Sequence, residues 1–445
     1  KGAFIILCGF LYLNILYPEL QIPDDLEGSA LFHIEQIKPH VSPFKTSLVY
    51  EGEIKSFHTK EKSFHRLPAS IYIYAKKNRP LADCDYLIPK ASLIEIAPYR
   101  YLLKPDKKTK WIPIKDSSTF SETRFLMKEK VKKYVEKEYP KKGVASLITA
   151  LMTGQNDNRM LAFQFGQLGL SHLLAISGFH FALLSLFLMT LLKPFLPKRG
   201  GACLLILLLF SYFLYMGKAP SISRAWIGVF IFLIGILLHY RPTGLNTLGI
   251  ALLAALFSNP LIITHIGFQL SFAATLGILI FYSSFEKGLY ALLPIRKFKE
   301  TSQMASLDQW GVILAAVIRK TLALNGAVLT FILPLLFFHF QEFSILSLFY
   351  NLFFPLLFTF LMAFLLLGIL ISLIYPSFGS LIHQVNSHYA DFLLNLITNA
   401  PKRFSFFLKV PELSPYFIAL LLFFVLFWGL KLRRQEDGNP FVFPS

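Results

Sequence analysis

The sequence predicts a polytopic α-helical membrane protein with a small β-rich domain near its N-terminus. Hydrophobic residues fill 54% of its 445 positions, and phenylalanine alone supplies 46. A globule needs a polar exterior and seldom carries so much apolar surface. Several windows approach the roughly 20 apolar residues that cross about 30 Å of hydrocarbon. Residues 20–115 depart from this pattern, because short stretches there alternate apolar and polar side chains.

Taken in order, residues 3–17, "AFIILCGFLYLNILY", come first. They have the apolar character of a signal-peptide core, but no small-x-small cleavage site follows, so residues 1–19 are expected to form a membrane anchor. Within 20–115, "TSLVYEGEIKSF" (46–57), "SIYIYAKK" (70–77) and "DYLIPKASLIEIAP" (85–98) place Val, Ile and Tyr at period two. That is the mark of half-buried strands, and polar, Pro-containing turns separate them. A small β-barrel or sandwich fits this length. Residues 116–142 are highly charged, with apolar positions at Phe125, Leu126, Val131 and Val135. An amphipathic linker helix capped near Ser118 or Ser121 is expected there. Its lysines suit a membrane surface, and equally a solvated helix.

Residues 143–432 form the membrane domain. "GVASLITALMTG" (143–154) is too short to span and is expected to be interfacial or re-entrant. Spans are expected at 172–192, 201–217, 222–239, 244–258, 266–284, 321–339, within 344–375, and at 415–432. The stretch 376–412 is mixed, with an amphipathic piece near 380–399, and 433–445 reads as a short tail. Lys193, Lys198 and Arg199 place one loop in the cytoplasm. Lys287, Arg296, Lys297, Lys299, Arg319 and Lys320 do the same for 285–320. The β-rich domain then lies outside the cytoplasm, and "KLRR" (431–434) inside. Counting gives the wrong parity unless 344–375 enters the membrane twice or 380–399 spans. A helix broken at Asn351 and Pro355 is the expected cause.

The net charge of +18 follows partly from this topology, and the remainder suits a polyanion. The three cysteines, Cys8, Cys84 and Cys203, suggest neither a disulfide framework nor a zinc site.

Polar residues at membrane depth are unfavourable unless paired or facing water. They gather in "SHLLAISGFHFALL" (171–184), in "APSISRAW" (219–226) and in "HIGFQLSFAAT" (265–275), with Asn351 a weaker fourth case. Ser177 and His180 are three apart, a spacing that permits a serine–histidine pair. The acids between 143 and 432, namely Asp157, Glu286, Glu300, Asp308, Glu342, Asp391 and Glu412, all fall in expected loops or interfacial pieces. A hydrolytic triad therefore lacks its acid. His172 and His180 are about 80° apart on a helix with no third ligand near in sequence, which argues against zinc. The same shortage of acids argues against an ion-coupled transporter. What remains is an acid-poor polar interior carrying Arg224, suited to an anionic cargo. Alternatively, these residues only join helices, with Gly178, Ala273 and Ala274 allowing close packing.

The segment "GLSHLLAISGFHFALL" (169–184) resembles the H-L-L-A-I-S-G-x-H signature of ComEC-type competence proteins, the DNA-internalisation channels of bacterial transformation. His172, Leu173, Leu174, Ala175, Ile176, Ser177, Gly178 and His180 all match. "ALMTGQNDNRMLAFQFGQLGL" (150–170) resembles the lead-in, with Gly154-Gln155 where the family usually has Gly-Asp. "PSISRA" (220–225) resembles P-S-x-x-R-A. "NPLIITHIGFQLSFAAT" (259–275) resembles N-P-x-x-x-x-D-x-G-F-Q-L-S-F, with His265 at the usual Asp. "TFILPLLFFHFQEFSILSLFYNLFFPL" (330–356) resembles the later helix pair.

The resemblance implies an OB-like extracytoplasmic domain at 20–115 and a multi-pass channel in the bacterial cytoplasmic membrane that passes single-stranded DNA. Its implied partners are a DNA receptor, a nuclease, cytoplasmic motor proteins and membrane lipids. No H-x-H-x-D-H metal motif occurs in the sequence. A form without the family's metallo-β-lactamase-like nuclease module is therefore expected, with no cofactor and no catalytic residue. His172, Ser177, Gly178, His180, Arg224, Gln269, Ser271 and Asn351 are the expected DNA path. Lys104, Lys107, Lys108 and Lys110 lie beside Tyr99, Tyr101 and Trp111. A basic groove with aromatic platforms is how OB-like folds hold single strands. The competing role is contact with anionic lipid headgroups. A small-solute or lipid transporter would show an inverted repeat, which is not evident. An intramembrane hydrolase is opposed by the missing acids.

Overall fold

The computed structural model describes residues 26–41, 46–74, 79–97, 100–217, 219–240, 242–294, 304–400 and 406–437. The expected anchor at 1–19 and Tyr99 lie outside these residues. The chain divides into two compact units. One holds Lys1–Leu161, Leu207–Ser223 and Leu256–Thr264; the other holds Ala162–Ile206, Arg224–Ala255 and His265–Ser445.

The first unit is built on six strands: β1 (Leu26–Val41), β2 (Thr46–His58), β3 (Ser63–Ile73), β4 (Asp85–Ala97), β5 (Arg100–Pro105) and β6 (Ile112–Ile114). Their order is β1-β2-β3-β5-β4-β6, and β1 also pairs with β4. The first five strands therefore close on themselves, with β3 and β5 parallel. This is the closed Greek-key order of an OB barrel. Alternating residues fill the interior: Phe32, Ile34, Leu48, Tyr50, Ile54, Ile71, Ile88 and Leu103 are buried. β1 shifts register against β2 between Leu31 and Phe32 and again between Ile34 and Gln36, so a 16-residue strand can bend around the barrel. A Cβ at Gly52 would overlap the His33 carbonyl oxygen at this bend, which leaves glycine as the residue that fits.

Helix α1 (Ser121–Glu138) follows. Ser121 does not cap it. The N-cap is Phe120, without a side-chain bond, and Ser121 Oγ donates to the Ile34 carbonyl of β1 at 2.5 Å. The helix is pinned by protein contacts on this face. Arg124 donates to the carbonyls of Glu35 (2.7 Å) and Leu214 (2.8 Å), and buried Lys128 donates to that of Met216 (3.0 Å). Leu214 and Met216 end α6 (Lys198–Met216), so two cations sit on that helix's C-terminal carbonyls, where its dipole favours them. Burial, with Arg124 and Lys38 nearby, pushes the Lys128 ammonium down to about 7.

Helix α2 (Lys142–Thr153) is buried along most of its length and packs against α1. It ends on Gly154 in the left-handed region (φ 69°), whose N–H donates to Ala150. Gln155 Nε2 then donates to the Ile37 carbonyl of β1 at 3.0 Å. An aspartate, being an acceptor, could not make that bond.

Six helices among the described residues are long and apolar enough to cross a membrane. They are α6, α7 (Pro220–Leu237), α9 (Ile266–Gly288, continued to Ala291), α10 (Ser306–Phe340), α11 (Leu346–Ile374) and α13 (Pro415–Asp437, apolar to Arg433). Residues 433–437, expected as tail, continue α13. The expected span 172–192 is instead interrupted: α4 (Ser171–Leu174) and α5 (Gly178–Leu192) are separate, and α5 has 15 residues. Helix α8 (Gly244–Ser258) is equally short, and α3 (Arg159–Gln167) precedes α4. In the second unit α9, α10 and α13 pack through small residues. A Cβ on Gly277 would overlap the Ala327 carbonyl oxygen, and one on Gly429 would come within 2.5 Å of the Phe281 ring.

Helix α11 runs unbroken through Asn351 and Pro355. The expected break there is absent: helical backbone continues on both sides of Pro355. After Tyr375 the chain turns into α12 (Pro376–Thr398). Asp391 lies within this helix, where the amphipathic piece is expected, while Glu286 and Asp308, expected in the 285–320 loop, lie within α9 and α10.

The most consequential ion pair in the first unit joins α1 to the barrel. Arg79 donates to both Glu122 oxygens (2.8 and 2.5 Å), and the Ala82 N–H donates to Glu122 at 2.9 Å. The side chains are only 9% and 11% exposed. Burial opposes ionisation of Glu122, but Arg79 and Ala82 outweigh it and hold the carboxyl below the usual carboxylate range. Glu122→Ala is expected to destabilise the folded protein by about 3–5 kcal/mol, measured by denaturant unfolding in detergent. The folded pKa is depressed, so the wild-type stabilisation is present above the unfolded value of about 4.3 and lost as pH falls through the folded one. Unfolding of Glu122→Ala should lack that part of the acid dependence.

Candidate functional site

The signature segment of the second unit is built around a break in the helix. Gly169 takes a left-handed conformation (φ 67°), and a Cβ there would lie 2.5 Å from Ser347 Cβ on α11. One turn of α4 follows. The backbone is then extended at Ala175 and at Ser177 (φ −128°, ψ 176°) before α5 begins at Gly178. Non-helical backbone at membrane depth needs protein or water to satisfy it. Part of that comes from His180: the Ser177 N–H donates to His180 Nδ1 at 3.2 Å, and Ser177 Oγ lies 3.2 Å from the same nitrogen. This is one arm of a capping box, with histidine in place of Glu or Gln. Accepting at Nδ1 assigns the proton to Nε2. His180 is 1% exposed, and its Nε2 has no hydrogen-bond partner among the described residues. No carboxylate among them bonds His180 either.

Two other motifs converge on Gly178. Arg224 lies in the second turn of α7, which opens with Pro220 at its first position. Its Nε donates to Ser271 Oγ on α9 at 2.8 Å. Its Nη2 would lie 2.9 Å from a Cβ on Gly178, so the absence of a side chain there makes room for the guanidinium. Gly178, Arg224 and Ser271, each from a different motif, thus form one cluster. Among the described residues no carboxylate pairs with Arg224.

Gln269 belongs elsewhere. It stands two residues before Ser271, about 200° around α9. Its Oε1 meets His339 Nε2 of α10 at 2.7 Å. His339 is a site residue the sequence did not signal, because only packing brings α10 to that face of α9. His265 caps α9, its Nδ1 accepting from the Gly267 N–H at 3.1 Å. Aspartate serves the same purpose at an N-cap, which accounts for histidine at that place. His172 is the second residue of α4 and is exposed. Asn351 lies on α11 with a buried Oδ1 that has no partner among the described residues.

The barrel residues separate in the same way. Tyr101 is 3% exposed, within the barrel core. It cannot serve as a stacking platform, because its position on β5 alternates inward. Trp111 packs edge-on against Tyr50 and Tyr86, with ring centroids 6.4 and 5.6 Å apart. Lys104, Lys107, Lys108 and Lys110 are exposed at or near a turn in which Asp106 accepts from the Lys108 and Thr109 backbone N–H groups. This turn follows β5, at the opposite end from the β4–β5 connection that OB barrels commonly use for nucleic acid.

Ser271→Ala is expected to lose about 1.5–3 kcal/mol of stability, the range for a hydrogen bond to a charged group. Gly178→Ala should displace the same guanidinium, so the two effects should be non-additive by at least ~0.5 kcal/mol in a double-mutant cycle of unfolding in detergent. Additive losses would mean that the three residues do not act together. His265→Ala should cost about 1 kcal/mol, and His265→Asp should restore it.

The family described as Competence protein matches residues 157–435. The chain is 27% identical over 302 residues to ComE operon protein 3 of Bacillus subtilis (strain 168), an alignment covering 66% of this chain. It covers 35% of that relative, so the chain spans about a third of the relative's length. No solved structure matches. The matched region contains the signature break, the arginine helix and the capped α9, and this multi-pass membrane protein belongs to the competence protein family.

Proposed function

We propose that this protein is a channel that carries single-stranded DNA across the bacterial cytoplasmic membrane during natural transformation. Its family and its similarity to a protein of the ComE operon support the process. The observation that carries the chemistry is Arg224. A guanidinium on an apolar helix, oriented by Ser271 and given room by Gly178, has no carboxylate partner among the described residues. A phosphodiester supplies that counter-charge in a forked geometry that arginine matches. The cation is positioned but not neutralised, so it can hold a phosphate briefly and release it.

In this proposal the barrel lies outside the cytoplasm and the protein breaks no bonds. His180 Nδ1 is shared between the Ser177 N–H and Oγ, and no carboxylate among the described residues orients the ring through Nε2, which suits it poorly to activating Ser177 as a nucleophile. Removal of the second DNA strand then falls to a nuclease, and capture and pulling to a DNA receptor and a cytoplasmic motor. The exposed loop lysines offer phosphate contacts at the barrel without stacking from Tyr101.

Arg224→Ala is expected to lower transformation about 100-fold at unchanged membrane abundance, as loss of a charged interaction worth ~2.7 kcal/mol would. Arg224→Lys keeps the charge without the fork and should fall between. Normal transformation by stably inserted Arg224→Ala would refute the role. Replacing Lys104, Lys107, Lys108 and Lys110 with serine should flatten the salt dependence of single-strand binding by the full chain. The expected change is roughly 0.7 in log–log slope for each phosphate no longer neutralised. An unchanged slope would assign these lysines to lipid.

A further inference from the structure

Helix α12 is not apolar enough to be counted among the six spans, yet its neighbours settle its path. It runs antiparallel to α11 along most of that helix. The Gly379 backbone lies against Ser372, and a Cβ on Gly368 would come within 2.7 Å of the His383 ring. Tyr389 Oη donates to the Leu357 carbonyl (3.0 Å), and Tyr350 Oη donates to the Leu396 carbonyl (3.2 Å). On α11 these contacts run from position 350 to position 372, about 33 Å at 1.5 Å per residue. A helix lying flat on the surface could not follow a spanning helix over that distance.

A second observation is independent of the first. The short strands β7 (Glu342–Ser344) and β8 (Phe407–Lys409) pair antiparallel, Glu342 opposite Lys409 and Ser344 opposite Phe407. β7 precedes α11 and β8 follows α12, so the hairpin begins and ends on one side of the membrane. Since α11 is one continuous helix, α12 must return across it.

Three faces divide α12. Gly379, His383, Asn386, Ala390, Leu393 and Ile397 are buried. Leu381, Val385, Phe392 and Leu396 are exposed and apolar, as lipid requires. Gln384, His388 and Asn395 are also exposed, and Asp391 is half-buried among them. These four fall at i, i+4, i+7 and i+11, within about 60° of arc. His388 lies opposite the middle of α11, so this stripe passes through membrane depth. An acid, an imidazole and two amides there are strongly disfavoured against lipid.

We infer that α12 crosses the membrane antiparallel to α11 and presents Gln384, His388, Asp391 and Asn395 to a water-filled passage. This goes beyond the DNA proposal and does not depend on it. It also accounts for the helix's low hydropathy: one face is covered by α11, one meets lipid and one meets water.

The test replaces Cys8, Cys84 and Cys203 with serine and introduces single cysteines into the full-length protein in membranes. The probe is a cationic, membrane-impermeant methanethiosulfonate, which needs a hydrated thiolate. Cysteines at 384, 388, 391 and 395 should react at least ~10-fold faster than those at 381, 385, 392 and 396, because the cation and thiolate both avoid hydrocarbon. Equal rates, or protection of all eight, would overturn the aqueous face. Sidedness is read separately. Phe343→Cys and Leu408→Cys should react from the same side, and Tyr375→Cys from the other. Labelling of 375 and 408 from one side would overturn the crossing. Neither measurement uses DNA, so failure of the uptake proposal and failure of this one are distinguishable.

Discussion

A cation with no carboxylate partner among the described residues, set on an apolar helix, constrains the second unit. The Arg224 guanidinium must be hydrogen-bonded and must have space, because an unsatisfied charge in such surroundings is strongly disfavoured. Ser271 meets the first need and Gly178 the second. Residues far apart in sequence are therefore tied in type: a hydroxyl on α9 and a glycine at the start of α5.

In both units much of the remaining chemistry concerns backbone ends. Ser177 and His180 share a cap, His265 caps α9, and Gly154 closes α2. Each satisfies a group that a helix terminus leaves open. The departures from the family pattern follow this logic. Histidine replaces aspartate where only an acceptor at an N-cap is needed. Glutamine replaces aspartate where the neighbour is a carbonyl of β1, which requires a donor. Both substitutions look like lost acids in the sequence, and both are local hydrogen-bonding solutions in the structure.

The first unit is held differently. Its barrel is a hydrophobic core closed by strand pairing, and α1 is fastened to it by the Arg79–Glu122 pair and by Ser121. Arg124 and Lys128 continue from α1 to the last carbonyls of α6. Helix α1 thus acts as a strap between a folded barrel and the end of an apolar helix. Arg124 and Lys128 are turned toward protein carbonyls on this face.

The sequence by itself determined the features that depend on near neighbours. Period-two alternation marked the strands of the barrel, and long apolar runs marked the helices, since each reports the surroundings of consecutive residues. Spaced motifs carried the family and drew attention to Ser177, Gly178, Arg224 and Ser271. Only the tertiary structure decided which of these meet. Gln269 and Ser271 share one motif but face opposite ways on α9, so Gln269 pairs with His339 and Ser271 with Arg224. Tyr101 reads as an aromatic beside lysines, yet its strand register turns it into the core. Pro355 reads as a break, yet α11 continues through it. The path of α12 was invisible to hydropathy, because that measure averages three faces that meet protein, lipid and water, and only packing against α11 and the pairing of β7 with β8 tell them apart.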